Sequence, residues 1–300
     1  MMEANRRLPM STVFLFANDS LGARLIANCV HREIGLRAII IEGDVPPRLQ
    51  RLKDLAKAYL RLIGCGVAMR LVRRFRGERQ ATLPKHLVHQ EQRLLESAEN
   101  RLLRAAGPAG RHWPHSVMHL YVRSVNDPEF VGWCKKQNPD LLLVYGTRIL
   151  RTPIIETPRL GVLNVHHSLL PDYRGNQVEF WQVLNGDLDK SGVTIHFVDE
   201  GVDTGDIVLQ EAANPNLGVD PYLLKTMNTI IAARLLPKAT SLVLRGSAVR
   251  LSQTNPSTPT WRAKDITLER RIELLEKLPQ NRSGLARGTP LPPPSDVHFA

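Results

Sequence analysis

The stretch Thr12–Ile41, TVFLFANDSLGARLIANCVHREIGLRAIII, reads as strand, helix, strand. Thr12–Ala17 is a continuous apolar run of strand length, Ser20–Ile34 has apolar residues at helical spacing, and Leu36–Ile41 is again apolar and rich in isoleucine. A β-α-β unit returns the chain to the same sheet in the same direction, so it builds a parallel sheet. The first turn, ANDSLG over 17–22, lacks the G-x-G-x-x-G pattern, and no dinucleotide is expected there. Further along come a strand at His119–Val122, a helix opened by Asn126-Asp127-Pro128, and a strand at Leu141–Tyr145. Leu160–Val165 reads as a strand, Gln177–Leu184 as a helix, and Val193–Val198 and Ile207–Gln210 as two more strands. Asp220-Pro221 caps a helix that continues past Pro237 toward Leu244, and Thr267–Leu278 is the last helical pattern. The expectation is an α/β domain over residues 11–250 with a mixed, mostly parallel sheet, and a short C-terminal helical extension at 251–278.

The chain has 300 residues, 43% of them apolar, enough for a large core without accessory staples. Cys29, Cys65 and Cys134 form no C-x-x-C pair, which argues against a disulfide framework and a structural zinc site. Arg6 and Arg7 before STVFLFA resemble the start of a signal peptide, but Asn18 and Asp19 cut the apolar run short. No stretch approaches the length of a spanning helix, so a soluble, cytoplasmic chain is expected. The formal charge of +11 suits an anionic partner such as tRNA, a nucleotide-linked substrate or an anionic membrane, and does not choose among them.

Residues 47 to about 107 interrupt the strand-helix alternation with two helical patterns. The first carries Leu49, Leu52, Ala56, Tyr59, Ile63, Val67 and Leu71 on one stripe, with ten Lys and Arg residues against Asp54 and Glu78 elsewhere. This reads as an inserted hairpin with a solvated basic face. The second pattern, around Glu91, Leu95, Leu102 and Leu103, offers it a packing partner. Peripheral contact of 47–80 with the inner face of a membrane is the alternative. The Pro- and Gly-rich segment 279–300 reads as a disordered tail.

The chemistry concentrates in Leu163–Gly175, LNVHHSLLPDYRG, and Val202–Ile207, VDTGDI. Asn164 and His166 lie two apart at a strand end, so both side chains face the same way and can address one atom. Pro171 and Gly175 lead the chain into a loop, and Gly201 and Gly205 bracket Asp203, allowing a second sharp loop to converge on the first. His167 points to the opposite face and reads as structural. Asp199, Glu200 and Asp206 lack accompanying His or Cys ligand spacing, and no metal is expected.

These residues resemble the folate-dependent formyltransferase family, whose Rossmann-like domain moves a formyl group from 10-formyltetrahydrofolate to an amine. Asn164, His166 and Asp203 fall on that family's catalytic triad, SLLPDYRG at 168–175 on its SLLPxxRG loop, and GVTIHFVDEGVDTGDIVLQ at 192–210 on its strand, Asp loop and strand. The resemblance is good from Leu141 to Gln210, weaker over the opening β-α-β unit and absent across the basic insertion. It implies that Asn164 and His166 supply donors to the formyl oxygen, and that Asp203 orients His166 and accepts a proton. It also implies that the pterin lies against the backbone of Tyr145, Gly146, Thr147, Arg148, Ile149 and Leu150, and of Asp199, Glu200, Gly201 and Val202. Thr147 and Arg148 depart from the Gly-x-Ile-Leu-Pro-like pattern of the tRNA enzymes. Arg174, Gly175 and Asn176 are the candidate substrate contacts, with Arg174 either a donor to a diphosphate or a partner in a loop-stabilising ion pair.

The family's tRNA enzymes carry a C-terminal barrel domain, and the sequence after Gly246 is too short for one, which argues against tRNA as partner. The expected acceptor is a small-molecule amine, first an amino sugar linked to a nucleotide, or a specialised-metabolite amine. The alternatives are a methionyl-tRNA formyltransferase-like enzyme, a formyltetrahydrofolate hydrolase and a non-catalytic binding protein on the same fold.

Overall fold

The computed structural model describes residues 11–43, 83–216 and 218–278. The first helix of the expected basic insertion, with its membrane alternative, and the expected disordered tail lie outside the described residues.

β1 (Val13–Asn18), β2 (Ala38–Glu42), β3 (Met118–Val122), β4 (Leu141–Tyr145), β5 (Val162–His166), β6 (Gly192–Phe197) and β7 (Ile207–Ala212) form one sheet in the order β3-β2-β1-β4-β5-β6-β7. The first five pair in parallel, and β6 and β7 add antiparallel at one end. The expected mixed, mostly parallel sheet is therefore observed. The strand order reverses between β1 and β4, and the carboxyl ends of the strands around such a point form the crevice where open α/β sheets take ligands.

Every residue of β2 and β4 is buried, as a strand covered on both faces requires. Val13, Leu15 and Ala17 of β1, with Leu163 and Val165 of β5, pack under α1 (Leu21–Glu33). α2 (Lys85–Ala106) contributes Leu102 and Ala106 at the rim of that core. On the other face, Phe14, Phe16, Leu142, Val144 and Val162 pack with α3 (Pro128–Lys136) and α4 (Thr152–Ile155). Phe16 meets Phe130 edge-on at 5.6 Å between ring centroids. α5 (Val178–Asn185) follows the β5 loop. α6 (Pro221–Leu244) runs unbroken through Pro237 and buries Leu235, Leu236 and Ala239 against the sheet. α7 (Leu268–Lys277) closes the described chain.

The helix starts follow the capping residues. Ser20 accepts from Ala23 N, Asp127 from Glu129 N, and Asp220 from Tyr222 N and Leu223 N, each satisfying donors that the first helical turn leaves unpaired. The extension at 251–278 is fastened to the domain by a buried carboxylate. Glu91 of α2 receives Arg271 Nε at 2.9 Å and Arg271 Nη2 at 2.6 Å, and the Tyr222 hydroxyl completes the cluster. Among the described residues no helix is long and apolar enough to cross a membrane.

Candidate active site

Strand alternation sends the even residues of β5 to the α3 and α4 face, and β6 supplies their antiparallel neighbours, with His196 in register with Asn164. A register shift at Ile195 and His196 locally changes the aim of that strand. The loop between β6 and β7 then folds back over β5. The turn is made by Asp203 itself, at φ +53°, rather than by the bracketing glycines. Gly201 and Gly205 serve close approach instead: a Cβ on the first would run into the Thr204 side chain, and one on the second into the Phe197 carbonyl.

The structure brings Asn164, His166 and Asp203 together. Asp203 Oδ2 lies 3.4 Å from His166 Nδ1 and accepts the Gly175 N–H at 2.8 Å. Its Oδ1 accepts from Asn164 Nδ2 at 3.4 Å and lies 3.5 Å from His196 Nε2. His166 Nε2 donates to the Tyr173 carbonyl at 2.8 Å. His196 Nδ1 donates to the Phe197 carbonyl at 2.7 Å, so in a neutral ring its Nε2 accepts from Asn164 Nδ2 at 3.2 Å. The donors expected to face a formyl oxygen are thus engaged within the cluster.

Burial opposes ionisation of Asp203, yet the His166 and His196 rings and the Gly175 N–H hold its carboxyl well below the usual carboxylate range. For His166 burial prevails and the imidazole sits below its ordinary value, with the Asp203 charge pulling against it. Both ring nitrogens of His166 face oxygen acceptors. A neutral imidazole donates to one of them and completes the second contact when it takes up a proton.

The two loops expected to flank a pterin stand next to each other. Thr152 Oγ1, just past the first, donates to Glu200 Oε1 of the second at 2.9 Å. Two residues not singled out in the sequence shape the first loop. Glu42, buried at the end of β2, accepts from Val125 N at 3.0 Å and Arg148 N at 2.7 Å. Asn126 donates to the Ile149 carbonyl at 2.9 Å and accepts from Arg151 N at 2.8 Å. Ile149 and Val202 expose their apolar side chains, one from each loop. Tyr145 and Leu150 turn inward, Tyr145 toward Thr229 Oγ1 at 3.1 Å. Thr147 donates to the Arg148 carbonyl, while Gly146 and Gly201 are exposed and Asp199 closes its own loop on Gly201 N and Thr204 Oγ1.

The candidate substrate contacts Arg174, Gly175 and Asn176 lie against the 251–278 extension. Arg174 Nη2 donates to Gln253 Oε1 at 3.0 Å and to the Thr254 carbonyl at 3.4 Å. Gly175, at φ +106°, forms a parallel bridge with Trp261, and a Cβ there would run into the Trp261 carbonyl. Asn176 N donates to that same carbonyl at 3.0 Å. Trp261 stacks on Trp181 at 4.3 Å and on Tyr173 at 5.8 Å between centroids. Gln253 in turn donates to the carbonyls of Asp203 at 2.9 Å and Gly205 at 2.7 Å. The extension therefore braces both the loop at 173–176 and the loop at 203–205, a role its polar sequence does not announce. His196 was visible only as one residue within the matched strand; a lone imidazole in the run VTIHF was its single signal.

On the opposite face, His167 Nδ1 pairs with Glu179 Oε1 at 2.6 Å, and both side chains are largely buried. Asn228 Nδ2 donates to the His167 carbonyl at 3.4 Å. His167 Nε2 and Asn228 Oδ1 are buried without a hydrogen-bond partner.

Residues 72–216 match the family model described as "Formyl transferase". Methionyl-tRNA formyltransferase of Clostridioides difficile is 38% identical over 130 residues, covering 43% of this chain and 42% of that protein. The chain thus spans less than half the length of this curated relative. In fold, it resembles a 4-N formyltransferase from Francisella tularensis, with a TM-score of 0.52, 14% identity, and coverage of 91% of this chain and 90% of that one. It also resembles the N-formyltransferase from Helicobacter canadensis in complex with folinic acid and dTDP-3-aminofucose, with a TM-score of 0.51, 15% identity, and coverage of 88% and 79%. Asn164, His166 and Asp203 gather inside residues 72–216, the part of the chain that is similar to the formyl transferase family.

Proposed function

We propose that this chain transfers a formyl group from 10-formyltetrahydrofolate to the amine of a small molecule, first an amino sugar carried on a nucleotide. The observation that carries the reading is the meeting of Asn164, His166 and Asp203 beside two adjoining loops with exposed apolar side chains. A folate is supported by the exposed apolar side chains of Ile149 and Val202, one on each loop, against which a flat ring could lie. When bound, the folate supplies the formyl group. Asp203 is ionised and sits against the His166 ring, so the pair can hold a proton released by the attacking amine. Asn164 keeps His196 and Asp203 in register, and rotation of its amide toward a reacting carbonyl would present a donor where negative charge develops. No metal enters this chemistry.

The acceptor reading draws on the Helicobacter canadensis fold neighbour, whose complex holds an amino sugar on a nucleotide, and on the net charge of +11. The second reading, formylation of methionyl-tRNA, is favoured by the name of the sequence relative. Incubation with 10-formyltetrahydrofolate and a panel of dTDP- and UDP-linked amino sugars, followed by mass spectrometry, tests the first. The expected product is one sugar gaining one formyl group. Formylation of charged initiator tRNA with none of the sugars overturns the choice of acceptor. Formate release without any acceptor points to the hydrolase, and an inert protein to the binding alternative.

A further inference from the structure

Glu42 is the last residue of β2, in register with Asn18 of β1 and Val122 of β3. Beyond that line the loops leaving β3 and β4 run outside the sheet, and their N–H groups need other partners. The buried Glu42 side chain supplies them. One carboxyl oxygen accepts the N–H of Val125, itself fully buried, and the other accepts the N–H of Arg148. Because β1 lies between β2 and β4, this carboxyl reaches over the end of β1 to join the two loops. Asn126, in the turn after β3, repeats the arrangement with a donor to the Ile149 carbonyl at 2.9 Å and an acceptor for Arg151 N at 2.8 Å. The main chain is thus tied down on both sides of Ile149. That side chain is 72% exposed, more than any other large apolar one among the described residues, while Leu150 beside it is buried. A lone exposed isoleucine is ordinary on a loop free to move. One held in place by its flanking peptides, with the exposed Val202 on the adjoining loop, is a surface set out for a flat apolar partner.

We propose that Glu42 and Asn126 are positioning residues for the formyl donor, presetting the 146–151 loop so that Ile149 meets the folate ring without first being ordered. The inference rests on the formyl-transfer reading and deepens it, by assigning donor affinity to residues that touch no reacting atom. Holding a loop in its bound shape lowers the entropy lost on binding and so tightens binding without new contacts. None of the hydrogen bonds of this clamp reaches Asn164, His166 or Asp203. Loosening it therefore weakens the donor and spares the chemical step. An interaction lost equally from the ground state and the transition state raises KM and leaves kcat unchanged.

Two substitutions in the full-length protein test this. Glu42→Gln keeps the volume, but its amide NH2 faces an N–H where an oxygen had accepted, so a donor meets a donor. Asn126→Asp keeps the acceptor for Arg151 N and loses the donor to the Ile149 carbonyl. Binding is read by calorimetry with folinic acid, a formyl-folate whose formyl group sits on N5. Its affinity should fall about tenfold for Glu42→Gln and about threefold to tenfold for Asn126→Asp. With 10-formyltetrahydrofolate and an amino sugar that the wild type formylates, KM for the donor should rise by the same factors, while kcat and KM for the sugar stay within about twofold of wild type. Unchanged folinic acid affinity in both variants overturns the proposal, and so does a fall in kcat with no rise in donor KM. Should Glu42→Gln not fold, Asn126→Asp, at a half-buried turn, decides by itself. A wild-type protein that binds no folinic acid is a separate outcome, which sinks the formyl-transfer reading and this proposal with it.

Discussion

The two sides of the tip of β5 differ in how completely their polar atoms are satisfied. On the even side, Asn164, His166, His196 and Asp203 bond to one another and to the backbone of Gly175 and Tyr173, and nearly every donor has an acceptor. On the odd side, His167 Nε2, one residue further along the chain, and Asn228 Oδ1 of α6 are buried without a partner. A closed network stabilises its own geometry and holds a carboxylate ionised in a buried place. An open one is unstable until something arrives to fill it. A single strand end can thus carry a closed polar network on one face and unpartnered polar atoms on the other, because consecutive side chains point in opposite directions.

Breaking the closed side should have the largest effect. Asp203→Asn keeps the shape but removes the charge facing two imidazoles, and formyl transfer should fall on the order of a hundredfold to ten-thousandfold, read as initial rates at saturating folate. A variant within twofold of wild type would show that the closed network is structural only. Gly175→Ala comes next. Its φ of +106° and the Trp261 carbonyl leave no place for a methyl group, so a loss of about 2–4 kcal/mol is expected in urea unfolding, with activity lost at temperatures where the variant remains folded.

Gln253→Ala probes the same network through its brace. It removes the two hydrogen bonds to the Asp203 and Gly205 carbonyls, each worth about 1 kcal/mol. Asp203 should then lose its left-handed geometry, lowering kcat more than it raises KM, with Gln253→Glu failing to rescue because a carboxylate cannot donate to the carbonyls. On the open side the sign reverses. Asn228→Leu removes an unsatisfied buried acceptor and should leave the protein within about 0.5 kcal/mol of wild type or more stable, read in urea unfolding. A large destabilisation would mean that Asn228 is as tightly satisfied as the residues around Asp203.

Acid sharpens the same contrast. The folded chain holds Asp203 and Glu179 below the ordinary carboxylate value, so their contribution is complete above about pH 4 and is lost as the pH falls through the folded values. His166 is depressed by burial, so the unfolded chain takes its proton first and stability begins to fall below about pH 6.5. Denaturation midpoints measured from pH 8 down to pH 4 should therefore decline, with His166→Gln flattening the upper part of that decline.

Much of this was readable from residue order. Apolar runs of strand length, the Ser20, Asp127 and Asp220 caps and the spacing of Asn164 and His166 specify the elements and the facing of two site residues, because those signals act within a few positions of the chain. The approach of Asp203 was also expected, although the turn is made by Asp203 itself and the bracketing glycines serve close approach. The rest depended on contacts between distant segments. His196 enters the site because antiparallel pairing sets it opposite Asn164, and Glu42 and Asn126 shape the 146–151 loop from two other strands' ends. Arg174 meets Gln253, and Gly175 meets Trp261, because the 251–278 extension comes back across their loop. Sequence pattern determined which elements form and which way their side chains face, since propensity and alternation are local. Only the tertiary structure decided which polar atoms found partners and which were left open, since a hydrogen bond depends on where two separate segments meet.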